Sequence, residues 1–224
     1  MKRDQHKLET KNRVLKISRN LFVQQGYSKT TIKQISRKAN ITTGSLYHFF
    51  QNKEDILLHI VGDVVSKSAE ISDVITGNEN DPCLRFSLEI ALQLEVILKF
   101  ERIGEIYLAA YNSWQISKLI VRMGAERNEE IFKTYNPDFT AEDYYTRTLA
   151  IKGILHSFID EFVHYRRIDD HKRIHSILEM ILLIFNIPEK QIRRTINKTQ
   201  RIIEKINLEH SPKFDISHLM DLIF

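Results

Sequence analysis

The sequence predicts an all-α protein, with a small N-terminal domain of three helices followed by a larger helical domain. Apolar residues recur at helical spacing along most of the 224 residues, and only seven glycines and four prolines interrupt them. Residues 30–56 bring two short helices, a tight turn and the start of another helix close together, which is the layout of a helix-turn-helix. We therefore expect domains over residues 1–51 and 52–224.

The first two helices follow from their end signals. A first helix is expected over about residues 4–25, because Gly26 stops it. Thr31 and Gln34 fit a capping box that opens the second helix. Asn40 then suits the left-handed backbone at the end of that helix, since asparagine tolerates positive φ better than most residues.

A short third helix follows the turn. Thr42 offers its hydroxyl to the first N–H groups of this helix, and Leu46 faces inward. Thr43, Gly44 and Ser45 open it with small side chains. Such residues suit a helix whose backbone must lie close to a groove.

A fourth helix links the two domains and runs toward Gly77, with Asn52 as its cap. Glu54 and Asp55 in its first turn suit the positive end of the helix dipole, whereas Lys53 does not. A cation in this place indicates an anion nearby, such as a phosphate.

Caps and prolines locate the remaining helices. Asp81 followed by Pro82 opens a helix that extends to about residue 100. Further helices are expected over 102–112, over 113–135 with Pro137 as a stop, over 140–167 opened by Thr140 and Asp143, from a cap at Asp169 or Asp170 to about 185, over 188–207, and in an amphipathic tail over 214–224.

Positive charge is concentrated at the N-terminal end. Residues 1–60 contain twelve lysines and arginines against four acidic residues, a surplus of eight, whereas the whole chain carries +4. The remainder must therefore carry about −4. A solvated basic face does not explain this asymmetry well, and the segregation instead favours an encounter with a polyanion.

Composition points to a cytoplasmic protein. The single Cys83 excludes an internal disulfide and fits a reducing compartment. No stretch has the apolar length that spans a bilayer, and the N-terminus lacks the core of a signal peptide. The first helix commits its apolar residues to a small core, which leaves no free face for a membrane surface.

Residues 30–57 resemble the DNA-binding motif of the TetR family of bacterial transcriptional regulators. The run GSLYHFFQNKEDIL is similar to that family's recognition helix and the start of its fourth helix, and ISRKANITTGSLY is similar to the preceding turn. Asn40 stands where the family commonly has glycine, and it can adopt the same backbone. The motif covers roughly residues 10 to 60, about a quarter of the chain.

The resemblance implies contacts between this motif and DNA. Short hydroxyls can exchange hydrogen bonds with base edges, but none of the positions facing the bases is an arginine, so specificity leans on weaker contacts, water and DNA shape. The alternative is that the threonines are only helix caps, the tyrosine packs on the surface and the histidine is simply solvated. The implied contacts are Thr31, Tyr47, His48 and Lys53 with phosphates and Thr42, Thr43, Gly44 and Ser45 with base edges.

The resemblance also implies a homodimer, built from a four-helix bundle near the C-terminal end. Two broad apolar stripes are the candidates, although both could equally form the core of one chain. A two-fold dimer suits DNA, because one small motif reads few base pairs. The candidate interface residues are Ile151, Leu155, Phe158 and Phe162 on one helix and Ile174, Ile177, Leu178 and Ile181 on the next.

A cavity for a small-molecule effector among the middle helices is a further implication. Aromatic residues at helical spacing usually belong to the hydrophobic core, so the alternative is that the candidate residues are core and line no cavity. The candidate lining residues are Phe86, Ile90, Leu94, Tyr107, Tyr111, Trp114 and Met123, with Glu101, Arg102 and Glu105 as polar anchors.

The sequence patterns predict a cytoplasmic DNA-binding protein with no cofactor, metal site, membrane association or enzymatic activity, and the resemblance implies a homodimeric regulator that binds a palindromic operator, most simply a repressor released by a ligand. One alternative is a metal-dependent oxidase in a helical bundle, because Glu161 and His164 form one Glu-x-x-His pair and His171 and His175 lie one turn apart. Such a site needs a second pair and two more glutamates, and Asp215 with His218 is a poor substitute. The other alternative is a helical interaction module that does not bind DNA.

Overall fold

A computed structural model of the chain describes residues 2–77, 81–165 and 170–208. Every regular element in these ranges is an α-helix, as the sequence predicted. The helices are α1 (Lys2–Gln25), α2 (Ile32–Lys38), α3 (Thr43–Tyr47), α4 (Lys53–Thr76), α5 (Pro82–Lys99), α6 (Glu101–Asn112), α7 (Trp114–Phe132), α8 (Ala141–Tyr165), α9 (Asp170–Ile184) and α10 (Glu189–Leu208).

The predicted signals shape the N-terminal helices. Gly26 follows α1 with a φ of +89°, a backbone that favours glycine. The backbone N–H of Thr31 donates to Gln34 Oε1 over 2.8 Å, and the Gln34 N–H donates to Thr31 Oγ1 over 3.2 Å, so the capping box is present. Asn40 has a φ of +51°, which confirms the left-handed turn between α2 and α3.

Later helices also begin at the predicted caps. The side chain of Asn52 accepts a hydrogen bond from the N–H of Asp55 over 2.8 Å, and that of Asp81 accepts one from the N–H of Leu84 over 3.1 Å. The helix expected from residue 113 begins one residue later, because Ser113 is its cap and not its first turn. The expected tail over 214–224 lies outside the described residues.

Helix α5 lies at the centre of the larger domain. It packs against α4, α6, α7, α8, α9 and α10, and most of its residues are buried. Helix α4 packs against both α1 and α5, so it physically joins the two predicted domains. In the described ranges, no helix is long and apolar enough to cross a bilayer.

The predicted dimer-interface residues lie in the core of the single chain, which makes the prediction wrong for seven of the eight. A side chain that its own chain already encloses has no surface left for a second copy. Phe158 alone is half-buried. The enclosed residues are Ile151, Leu155 and Phe162 of α8 and Ile174, Ile177, Leu178 and Ile181 of α9.

Candidate nucleic-acid interface and interior cavity

Hydrogen bonds hold the start of α3 in place. Thr42 Oγ1 accepts from the N–H of Ser45 over 3.0 Å and lies 2.9 Å from the Ser45 hydroxyl. The hydroxyl of Thr43 lies 3.3 Å from that of Ser36, which ties α3 to α2. Leu46 is completely buried beneath the helix. These contacts orient the first turn of α3 and leave its outer side free for a ligand.

That outer side is open. Gly44 and His48 are exposed, and Tyr47 exposes 53% of its surface. A Cβ built on Gly44 would have only the Thr42 hydroxyl within 4 Å, at 3.8 Å. Packing inside the chain therefore does not require a glycine there. The absent side chain instead lets an external surface approach the backbone closely.

Lys53 has partners within its own chain. Its ammonium donates to the carbonyl oxygen of Tyr27 over 2.7 Å and to that of Thr30 over 2.9 Å, and lies 4.2 Å from the centre of the Tyr27 ring. Burial lowers the pKa of Lys53. Two carbonyls thus account for a cation at the start of α4, so its position alone does not indicate a phosphate. An ammonium has three N–H donors, and the phosphate contact stays a prediction.

The basic surplus of the N-terminal end reaches solvent near the turn. Lys29, Lys33, Arg37 and Lys38 are exposed around α2, and Thr31 is exposed beside them. Thr30, by contrast, is buried, and its hydroxyl donates to the carbonyl oxygen of Gly26 over 2.8 Å. The exposed cations and the open outer side of α3 are each suited to a nucleic-acid backbone.

A second candidate site is a partly open cavity of about 130 Å³ lined by α4 to α8. Five of the seven predicted residues line it, and several polar residues that the sequence did not single out line it too. The predicted residues are Phe86, Ile90, Tyr107, Tyr111 and Met123; the additional polar ones are Glu89, Gln93, Arg127, Asn128, Thr148 and Lys152.

Leu94 and Trp114 do not line this cavity, so their assignment was wrong. Leu94 is instead buried in the hydrophobic core of the chain. Trp114 is the first residue of α7 and exposes 72% of its surface, with the Lys118 ammonium 5.0 Å from its ring.

Glu101, Arg102 and Glu105 do not anchor the cavity either. Arg102 donates to Glu105 over 2.9 Å, and both side chains lie against Gly26 at the end of α1. A Cβ built on Gly26 would lie 3.0 Å from a Glu105 oxygen. Arg102 and Glu105 therefore connect α6 with the N-terminal domain. The additional polar residues that line the cavity belong to α5, α7 and α8.

An ion pair lies in the cavity wall. The Oε2 atom of Glu89 lies 2.6 Å from Nη1 of Arg127, and the Glu89 side chain exposes 8% of its surface. Burial raises the pKa of Glu89 to about 7, which the positive charge of Arg127 opposes. The sequence did hold a signal, because Glu89 interrupts the apolar run LEIALQLEVIL, where a charge is out of place.

A second link joins the helices around the cavity to the N-terminal domain. Ser113 lies between α6 and α7, and its hydroxyl donates to Glu54 in the first turn of α4. The same hydroxyl accepts from the N–H of Ile116 over 3.2 Å and so caps α7. A shift of α6 or α7 would therefore reach the start of α4 directly.

The described residues of the oxidase alternative do not assemble a metal site. His164 lies 3.4 Å from Asp160, and Glu161 lies 3.8 Å from Arg173. Among the described residues, no group of three His, Cys, Asp or Glu side chains could hold a metal ion. Asp215 and His218 lie outside the described residues, as does the side chain of His171.

Comparison with known proteins places this fold among transcriptional regulators. Residues 14–60 match the model of the tetR family of bacterial regulatory proteins. A probable acrEF/envCD operon repressor of Escherichia coli K12 is 22% identical over 212 residues, which are 87% of this chain and 94% of the relative. The regulator HbdR of Aromatoleum sp. strain CIB is 39% identical over 57 residues, a quarter of each chain.

Solved structures share the whole fold. RolR in complex with resorcinol aligns with a TM-score of 0.64 and 21% identity over 86% of this chain and 95% of RolR. FadR of Thermus thermophilus, in complex with lauroyl-CoA, aligns with a TM-score of 0.62 and 14% identity over 80% of this chain and 96% of FadR. These likenesses confirm an all-α fold with an N-terminal helix-turn-helix domain.

The raised pKa of Glu89 predicts a pH-dependent difference between the wild type and Glu89→Gln. A carboxyl group whose pKa rises on folding stabilises the fold below its unfolded value, near 4.5, and loses that contribution as the pH rises through about 7. Glutamine has no such titration. Relative to the wild type, Glu89→Gln should therefore gain up to about 3 kcal/mol in free energy of unfolding across this window. Urea denaturation between pH 4.5 and 8 measures the difference, and a constant difference would contradict the assignment.

Proposed function

We propose that this chain, a member of the TetR family of bacterial transcriptional regulators, is a repressor that binds operator DNA as a homodimer and is released by a small molecule. The observation that carries the DNA-binding part is the open first turn of α3 at Gly44, which follows the exposed cations of α2 in the chain. Because that target would be chromosomal, we also propose a cytoplasmic location.

Base readout is proposed for Thr42, Thr43, Gly44 and Ser45, because the N-terminal residues of a recognition helix enter the major groove. Phosphate contacts are proposed for Thr31, Tyr47, His48 and Lys53. The exposure of Thr31 and Tyr47 supports these contacts. The Lys53 ammonium has three N–H donors, of which the carbonyls of Tyr27 and Thr30 take two.

A homodimer is proposed through the outer faces of α8 and α9 instead of the buried stripes. Gly153 and Ser157 are exposed along α8, and Leu183 of α9 exposes 52% of its surface. Phe158 and Met180 lie half-buried beside them. Small and apolar residues on adjacent helices suit close packing against a second helix pair. Two motifs about 34–36 Å apart would then match a palindromic site.

Release by a ligand is proposed to act through α4. A ligand in the cavity would shift the helices that line it, tilt α4 and change the separation of the two recognition helices. The link from Ser113 to Glu54 and the packing of α6 against Gly26 provide the path. The complexes of RolR with resorcinol and of FadR with lauroyl-CoA support the view that this fold holds small molecules.

Genomic footprinting of the tagged protein in its own bacterium tests the proposal as a whole. We expect protected palindromes upstream of a small set of genes, whose identity would indicate the effector. A protein that protects no site and shows no salt-dependent affinity for duplex DNA at low ionic strength would contradict the proposal and favour an interaction module.

Tyr47→Ala should weaken operator binding without changing stability, because this side chain is largely exposed. We expect a loss of about tenfold in affinity and, if the ring hydroxyl contacts a phosphate, a smaller salt dependence. Fluorescence anisotropy with the footprinted duplex over a range of salt concentrations measures both. Tyr165→Ala, which removes an exposed tyrosine at the end of α8, is the matched control. Equal affinity of both variants would disprove the assignment.

Gly153→Arg should convert the dimer into a monomer. In the part of the chain that the structure describes, no atom outside the local helix lies within 4 Å of a Cβ built at Gly153, so the single chain tolerates a side chain that a packed second helix would not. Sedimentation equilibrium measures the change, and circular dichroism confirms that the variant is folded. Asn197→Arg, at an exposed position of α10, should leave the assembly intact. A dimer that survives Gly153→Arg would place the interface elsewhere.

Ser113→Asp should lower operator affinity severalfold although it lies far along the chain from the helix-turn-helix. Aspartate keeps the cap of α7 but places a negative charge against Glu54, so the start of α4 becomes less restricted. Ser113→Thr keeps both the cap and the donor and should bind like the wild type. Unchanged affinity in Ser113→Asp, measured by the same anisotropy assay, would show that this link does not orient the DNA-binding domain.

A further inference from the structure

We propose that the cavity lined by α4 to α8 binds a small neutral phenol, with its ring among Phe86, Tyr107 and Tyr111 and its hydroxyl between Glu89 and Arg127. This inference rests on the proposed function, since it names the class of effector for that site. The size of the cavity, the chemistry of its walls, the buried carboxylate of Glu89 and the local charge each narrow the choice of ligand.

Size limits the ligand to about one ring. The cavity volume is about 130 Å³. An enclosed apolar cavity of roughly 150 Å³ holds a benzene molecule, so this space suits a single six-membered ring with small substituents. Long acyl chains and fused ring systems would require the surrounding helices to move apart.

The walls favour a flat, aromatic ligand. Most of the lining is apolar, and it includes three aromatic rings. Phe86 is held edge-to-face against Phe132 with ring centres 5.0 Å apart, and Tyr107 against Tyr111 with centres 6.3 Å apart. Rings positioned in this way offer a ligand ring both apolar burial and edge-to-face contacts.

A buried carboxylate in the wall favours a ligand with a hydrogen-bond donor. Oε2 of Glu89 is fully enclosed and lies 2.6 Å from Nη1 of Arg127. A carboxylate accepts several hydrogen bonds, so a ligand that donates to Glu89 beside this ion pair gains affinity. A hydroxyl group donates to Glu89 and can also accept from Arg127, because guanidinium carries five N–H donors.

Local charge favours a neutral ligand. The charges of Glu89 and Arg127 compensate each other. A carboxylate ligand has no proton to donate and would place a second negative charge beside Glu89. An ammonium ligand would instead stand beside Arg127, with Lys152 also in the lining. Either ion would leave an uncompensated charge in a site of low polarity, which is costly.

Calorimetric titration of the full-length protein with phenol, toluene, benzoate and cyclohexanol tests the proposal. We expect phenol to bind most tightly, because toluene lacks the hydroxyl, benzoate is charged and cyclohexanol is not flat. Glu89→Gln should weaken phenol binding severalfold, because a neutral amide oxygen accepts a weaker hydrogen bond than a carboxylate does. Glu95→Gln, a buried acid on the same helix that lines a different cavity, should bind phenol like the wild type.

Each contrary result has a distinct meaning. Benzoate or cyclohexanol binding as tightly as phenol would overturn the ligand class, and unchanged phenol affinity in Glu89→Gln would overturn the anchor. Glu89→Asp, which retracts the carboxylate by one methylene group, replaces the glutamine variant if that one does not fold, and is held to the same standard. If no probe binds while the same sample still binds duplex DNA, the phenol assignment fails and the proposed regulator stands. Loss of duplex binding by the wild type would instead refute the regulator.

Discussion

The rest of the molecule depends on the hydrogen bonds made by the first turn of α4. Lys53 donates to the carbonyl oxygens of Tyr27 and Thr30, which lie between α1 and α2. Glu54, the next residue, accepts from Ser113 at the junction of α6 and α7. Two adjacent residues of opposite charge thus fasten two different parts of the chain. Two turns further along, Val61 and Val64 of the same helix line the cavity.

The buried ion pair between Glu89 and Arg127 is a second constraint, of a different kind. Two charges in a largely apolar wall contribute little to stability, because desolvation offsets much of their attraction. The pair contributes more to ligand specificity than to stability. A site with fixed polar groups discriminates strongly against ligands that leave those groups unpaired. The pKa of Glu89 shows the same balance, because burial raises it more than the positive charge of Arg127 lowers it.

Local signals in the sequence predicted the helices well, whereas contacts between helices were harder to predict. The capping box at Thr31, the caps at Asn52 and Asp81 and the positive φ of Asn40 depend on neighbouring residues only. The dimer stripes failed because periodicity shows that a face is apolar and does not show whether the same chain covers it. The contacts of Lys53 with the carbonyls of Tyr27 and Thr30 could not be predicted, because these partners lie more than twenty residues away in the chain.

Trp114 does not line the cavity, but its exposed position has a practical consequence. It is the sole tryptophan of the chain, it lies directly after Ser113, and it is largely exposed to water beside the Lys118 ammonium. Indole emission depends on solvent contact and on nearby charge. The protein therefore carries a natural fluorophore beside the contact between Ser113 and Glu54, and rearrangement there can be followed in real time without attaching a dye.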